Sequence, residues 1–195
     1  MLRFIGFYDY TVILTYLSLI FAVSGMMLSG QGAFGGAILC LMASGLCDAF
    51  DGTVARSKKN RTADEKAFGI QLDSLCDVVS FGVFPAYLCW CMGANTVPGL
   101  VILWAYCICA VIRLAFFNVM EEKRQETEGG CNKVYRGLPV TTASMIFPAL
   151  YLLGLVVPQS VFALLLHIVP GVTAFLFVLD FPVKKPVLTK QHSGK

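Results

Sequence analysis

Asp48-Ala-Phe-Asp51-Gly52-Thr-Val-Ala55-Arg56, then twelve residues later Gly69-Ile-Gln-Leu-Asp73-Ser-Leu-Cys-Asp77, places four carboxylates at the ends of two long apolar blocks. Apolar runs of that length recur along the chain, at about 10–30, 33–55, 69–94, 98–119, 140–157 and 159–179. Crossing the roughly 30 Å hydrocarbon core takes about 20 residues of helix. Lipid offers no water to unpaired backbone groups, so such blocks form helices. The composition agrees, with 57% hydrophobic and 14% charged residues. A soluble domain devotes about a quarter of its positions to charge. The expected fold is an all-α integral membrane protein of six transmembrane helices, one domain over 1–195, with the motif at 48–77.

An ionised carboxylate at membrane depth is costly, and it ordinarily marks a group facing a cavity or a partner. Asp48 and Asp51 are three residues apart, and Asp73 and Asp77 four apart, so each pair shares a helix face. The polar loop 56–68 is short enough to fold the second and third helices into a hairpin that brings those faces together. Four converging acids repel one another unless cations lie between them. All-oxygen ligands suit hard cations, Mg²⁺ or Mn²⁺, completed by water and substrate phosphate. Gly52 and Ala55 leave one helix bare beside Asp51, and Gly69 does the same one turn before Asp73. Arg56 reads either as a bidentate fork for phosphate or as a simple anchor at the membrane edge. Ion pairing with Arg56 and Lys66, or a proton relay in a carrier, are the metal-free readings of the acids; neither needs the small residues beside them.

The basic residues orient the chain. Fourteen of the fifteen Lys and Arg lie in residues 1–9, the 56–66 region, 123–136 and the 184–195 tail, and Arg113 sits just inside the same end of the fourth span. The connections near 31, 93–99 and 156–160 carry none. The positive-inside rule puts both termini and the charged loops in the cytoplasm, and an even number of spans requires the same of the termini. The net charge of +3 fits anchoring beside anionic lipid and does not call for nucleic acid. No cleavable signal is expected, because the first apolar block is too long for one. Phe4, Phe7 and Tyr8 share a helical face, which suits a short N-terminal interfacial segment.

Seven of the eight Cys fall within spans and read as small packing residues; Cys131 lies in the 121–139 loop, whose Gly129-Gly130 suggests a mobile connection. Pro85 is expected to bend the third span, and Pro148 and Pro170 to interrupt the fifth and sixth. His167 has no acidic neighbour in sequence and reads as a structural residue.

The full pattern, Asp48-x2-Asp51-Gly52-x2-Ala55-Arg56 … Gly69-x3-Asp73-x3-Asp77, resembles the signature of the CDP-alcohol phosphotransferase family at all eight of its positions. The resemblance implies a six-helix fold and a two-metal site that binds a CDP-linked donor and expels CMP. It makes Asp48, Asp51 and Asp73 metal ligands and Asp77 a metal ligand, a general base, or both. Asp48, Gly52, Ala55, Arg56 and Gly69 would bind the donor.

Asp73-Ser-Leu-Cys-Asp-Val-Val-Ser-Phe-Gly82, Arg113-Leu-Ala-Phe-Phe-Asn118 and Gly137-Leu-Pro139 resemble the phosphatidylserine synthase branch, with Phe116 standing where that branch usually has Arg. The resemblance covers about residues 10–150. It implies CDP-diacylglycerol and L-serine as substrates, a homodimer, and a cell-membrane enzyme whose site opens to the cytoplasm. Arg113 and Arg136, with Lys133 in reserve, are the expected partners of the serine carboxylate. A sister enzyme acting on inositol phosphate or glycerol phosphate stays open, although a dianionic acceptor should want a denser basic cluster. A non-catalytic cation or proton carrier is the distant alternative.

Overall fold

A computed structural model describes residues 5–8, 10–58, 62–126 and 134–184, of which 55–57, 121, 123–126, 134–136 and 182–184 are described by their backbone alone. Helices α1 (Ile13–Gly30) and α2 (Phe34–Ser57) form a hairpin whose turn places Gly32 at φ 75°. The third span is one rod built from α3 (Ala63–Asp77), a wide turn over Val78–Val83, and α4 (Phe84–Met92). Helices α5 (Val97–Glu126), α6 (Ala143–Gly154) and α7 (Gln159–Val178) complete the bundle. Among the described residues, five helical rods are long and apolar enough to cross a membrane, and Val140–Gly154 is a shorter apolar sixth. The all-α architecture and the span count therefore match the reading from sequence. Among the described residues one antiparallel pairing joins β1 (Val134–Arg136) to β2 (Pro182–Lys184), with Tyr135 opposite Val183.

Lipid tails are as apolar as leucine, so helices in a bilayer associate through close packing rather than through escape from water. Ala22, Gly25 and Ser29 accordingly make a buried stripe on α1. Phe81, Phe84, Leu88, Tyr106, Phe147 and Phe177 fill the centre of the bundle. Outward-facing Leu39, Leu46, Trp104, Ile108 and Val172 cover it with an apolar surface suited to lipid. One tight crossing lies where α2 meets α6: a Cβ added to Gly45 would overlap the Ser144 side chain. Gly45→Ala should therefore push these helices apart and cost about 1–3 kcal/mol, the usual range for overpacking. The check is the apparent melting temperature in detergent; an unchanged value would show that the crossing yields freely.

The wide turn over Val78–Val83 leads into Pro85, which carries no backbone donor. The carbonyl it frees, that of Phe81, accepts a hydrogen bond from the Tyr106 hydroxyl at 2.6 Å, and the Cys107 thiol points at the Gly82 carbonyl at 3.5 Å. The wide turn thus sits directly above Asp77, with its loosened carbonyls satisfied from α5.

Several expectations need correction. Pro148 and Pro170 do not interrupt their helices, which run through them; within a bundle, neighbours and local adjustment accommodate the missing bond. The 56–68 loop shrinks to a few residues, because α3 starts at Ala63 on a capping box in which Thr62 and Glu65 satisfy each other's backbone N–H. Lys58 pairs with Glu65 at 3.1 Å and ties the ends of α2 and α3 together. Helix α5 continues to Glu126 rather than stopping near 119, so the charged residues that follow Met120 in sequence extend the helix beyond its apolar stretch. The far end of the 121–139 loop is pinned, not loose: Gly137 N–H donates to the Phe181 carbonyl at 2.9 Å and Leu138 N–H to that of Leu176 at 3.3 Å. Gly137 has φ 73°, and a Cβ there would meet the Leu179 carbonyl at 3.0 Å, so only glycine suits the position. Residues 5–8 are bent rather than helical, and Phe7 packs edge-on against Phe68 at 5.5 Å; Phe4 lies outside the described residues.

The seven described Cys are free. His167 is structural as expected: Nδ1–H donates to the Ala163 carbonyl at 2.7 Å, and Nε2 lies 3.0 Å from the Thr96 hydroxyl.

Candidate active site

The hairpin of α2 and α3 sets the two acidic stripes face to face. Carboxylate oxygens of Asp48, Asp73 and Asp77 all lie within 4.8 Å of one another. Asp51 stands beside this triad, against Asp73, while Asp48 lies against Asp77. Asp77 is the most enclosed, at 8% exposure, and the other three are half-buried. Two unit charges about 4 Å apart repel by about 4 kcal/mol near a protein surface, so this packing calls for positive charge between the acids. Asp73 Oδ1 is buried with no hydrogen-bond partner. An orphaned, anionic oxygen facing other carboxylates is the expected state of a ligand atom for a hard cation, and an all-oxygen donor set fits Mg²⁺ or Mn²⁺. The residues therefore fit divalent metal.

Gly52 and Gly69 are half-buried on α2 and α3, and Ala55 and Arg56 occupy the last turn of α2. Helix α5 reaches the same region through Asn118, whose Oδ1 accepts from the Ser74 hydroxyl at 2.8 Å. Arg113 is buried, at 7% exposure, and its Nε donates to the Leu138 carbonyl at 3.1 Å. That bond ties Leu138, two residues after the end of β1 at Arg136, to α5. Lys133 lies outside the described residues. Phe116 is 44% exposed, so the missing Arg of the resembled pattern alters an outward position of α5 rather than the buried one held by Arg113.

Helix α1 also reaches the site, and sequence reasoning missed it. The Thr15 hydroxyl donates to Asp51 Oδ2 at 3.4 Å. One turn deeper, Ser18 Oγ lies 2.8 Å from Ser44 Oγ and 3.5 Å from Ser80 Oγ, all three buried. The only local signal was the spacing of Thr15 and Ser18, three apart on one face of an apolar helix.

A family model described as CDP-alcohol phosphatidyltransferase matches residues 10–179. Archaetidylserine synthase of Methanothermobacter thermautotrophicus is 36% identical over 146 residues, 71% of this chain and 57% of that protein. The CDP-diacylglycerol–serine O-phosphatidyltransferase of Saccharomyces cerevisiae is 38% identical over 110 residues, 55% of this chain and 38% of that protein. The Bacillus subtilis protein of the same name is 35% identical over 111 residues, 56% of each chain. This chain thus spans about half the length, or less, of these curated relatives.

Proposed function

The chain belongs to the CDP-alcohol phosphatidyltransferase family, and from that premise we propose that it transfers the phosphatidyl group of CDP-diacylglycerol to the hydroxyl of L-serine, releasing CMP. One observation carries the reading: the Asp48–Asp73–Asp77 cluster with its orphaned Asp73 oxygen, set in a bundle the family model covers almost end to end. The names of these relatives, archaetidylserine synthase and CDP-diacylglycerol–serine O-phosphatidyltransferase, support serine as the acceptor.

Asp48, Asp51, Asp73 and Asp77 would hold two divalent cations, Mg²⁺ or Mn²⁺. Bound there, the cations neutralise the pyrophosphate and the charge that develops on it. Gly52, Ala55 and Gly69 leave room for the pyrophosphate beside the acids, and Arg56 offers it a two-pronged fork. Asp77, the most enclosed acid, takes the proton of the serine hydroxyl. The serine oxygen then bonds to the phosphorus that carries the lipid, and the bond from that phosphorus to CMP breaks. CMP departs with the bonding pair, and the proton on Asp77 passes to water. Alignment of the two reacting groups supplies much of the rate, since an alcohol is a weak nucleophile. We place the protein in the cell membrane with this site on the cytoplasmic side, as the distribution of Lys and Arg supports, and as a homodimer, for which cross-linking in native membranes is the check.

The test is purified protein with CDP-diacylglycerol and Mn²⁺ against serine, glycerol phosphate and inositol phosphate. Serine-dependent CMP release with a phosphatidylserine product is expected, whereas turnover with a phosphorylated acceptor instead would move the chain to a sister activity.

Arg113 and Arg136 are the proposed holders of the serine carboxylate. Replacing Arg136 by Lys should raise the serine KM about tenfold with little change in donor affinity, because Lys keeps the charge but loses the bidentate fork. Arg113→Lys should do the same and also lower the melting temperature, through loss of the bond to Leu138. Weakened donor binding with an unchanged serine KM in both variants would assign these arginines to the pyrophosphate.

A further inference from the structure

Helix α1 lies outside the 48–77 pattern and carries no charged residue. Two of its hydroxyls, those of Thr15 and Ser18, nevertheless turn toward the faces that carry the acids. Serine and threonine inside helices commonly bond back to the carbonyl four residues earlier, as Thr173 does to Val169 and Ser29 to Gly25. Thr15, at 6% exposure, instead reaches across 36 residues of sequence to Asp51 Oδ2. An ionised carboxylate only accepts, so the threonine is the donor. One turn below, Ser18 meets Ser44 and Ser80 in an otherwise apolar interior. Ser44 precedes Asp48 by four residues and Ser80 follows Asp77 by three, so this hydroxyl cluster lies on the acidic faces of both helices.

We propose that α1 is a third wall of the acidic site, with Thr15 as a positioning residue that orients the Asp51 carboxylate and the Ser18–Ser44–Ser80 cluster locking that wall in register. A carboxylate that accepts a fixed bond on one oxygen is held against rotation, and Asp51 is thereby held in place beside Asp73. Partners that orient ligands in this way ordinarily change metal affinity when they are removed. The registering role of Ser18 follows from burial: three hydroxyls enclosed among apolar side chains satisfy one another only at one sliding position of α1 against α2 and α3.

The inference rests on the acids being a divalent-cation site, so the experiment measures that separately. Full-length protein in detergent, without donor lipid, is titrated with Mn²⁺, free ion being read by electron paramagnetic resonance. Wild type should bind. Thr15→Val, which keeps the shape and removes the hydroxyl, should weaken binding about 10–100-fold, and Thr15→Ser should stay within about threefold of wild type. Ser18→Ala should lower the metal-free melting temperature while shifting Mn²⁺ affinity less than Thr15→Val does. If Thr15→Val does not purify as folded protein, Thr15→Ala makes the same comparison with Thr15→Ser. Wild-type affinity in the variants lacking the Thr15 hydroxyl, or equal weakening in Thr15→Ser, overturns the assignment while leaving the metal site standing. Absence of Mn²⁺ binding in wild type overturns both.

Discussion

Asp48→Asn is expected to remove Mn²⁺-dependent CMP release and Mn²⁺ binding together, and excess EDTA to do the same to the unmodified protein. The acids Asp48, Asp73 and Asp77 present oxygens within 4.8 Å of one another, and Asp73 Oδ1 has no protein partner. Without cations the cluster would present its negative charge to a substrate pyrophosphate that is itself anionic. Metal charge contributes several kcal/mol to such transfers, and each 1.36 kcal/mol is tenfold in rate, so the expected loss is at least about 1000-fold. Adding Mg²⁺ or Mn²⁺ back after chelation should restore the unmodified protein and leave Asp48→Asn inactive. Full activity in excess chelator would remove the cations from the mechanism and leave the four acids without a role.

Asp77→Asn separates donor binding from turnover. Asp77 is the most enclosed of the acids and lies directly below the wide turn over Val78–Val83. Its position deep in the stripe suits a group that meets the acceptor hydroxyl rather than the cytidine end of the donor. The amide keeps the shape and loses the ability to take a proton, so turnover should fall at least about 100-fold, the usual scale for a lost general base. Binding of CDP-diacylglycerol with Mn²⁺, measured by protection from thermal unfolding, should persist. If donor binding collapses with turnover, Asp77 acts chiefly as a ligand and the proton must go to another group.

The extent of the bundle was legible because membrane insertion depends on runs of local hydrophobicity, which need no knowledge of tertiary contacts. The acidic site was legible for a related reason. Asp48 and Asp51 share a face by spacing alone, as do Asp73 and Asp77, and a short polar loop leaves a hairpin as the simple way to join their helices. Boundaries were read less well. Thr62-Ala-Asp-Glu65 is a capping box in plain sequence, yet the surrounding charges made 56–68 resemble a loop throughout. Pro148 and Pro170 signalled breaks that a packed bundle does not make.

What the sequence determined by itself was therefore everything set by spacing along one helix: the spans, the side on which the basic residues gather, and the acid pairs with the small residues beside them. The tertiary structure alone decided which distant groups complete that frame. Thr15 meets Asp51, Ser18 meets Ser44 and Ser80, the Tyr106 hydroxyl satisfies the carbonyl freed by Pro85, and Arg113 is held to Leu138. A hydroxyl on an apolar helix has the same local pattern whether it bonds its own backbone or a side chain 36 residues away. Only the packing of helix against helix chooses between the two, because it decides which buried polar group is left without any other partner.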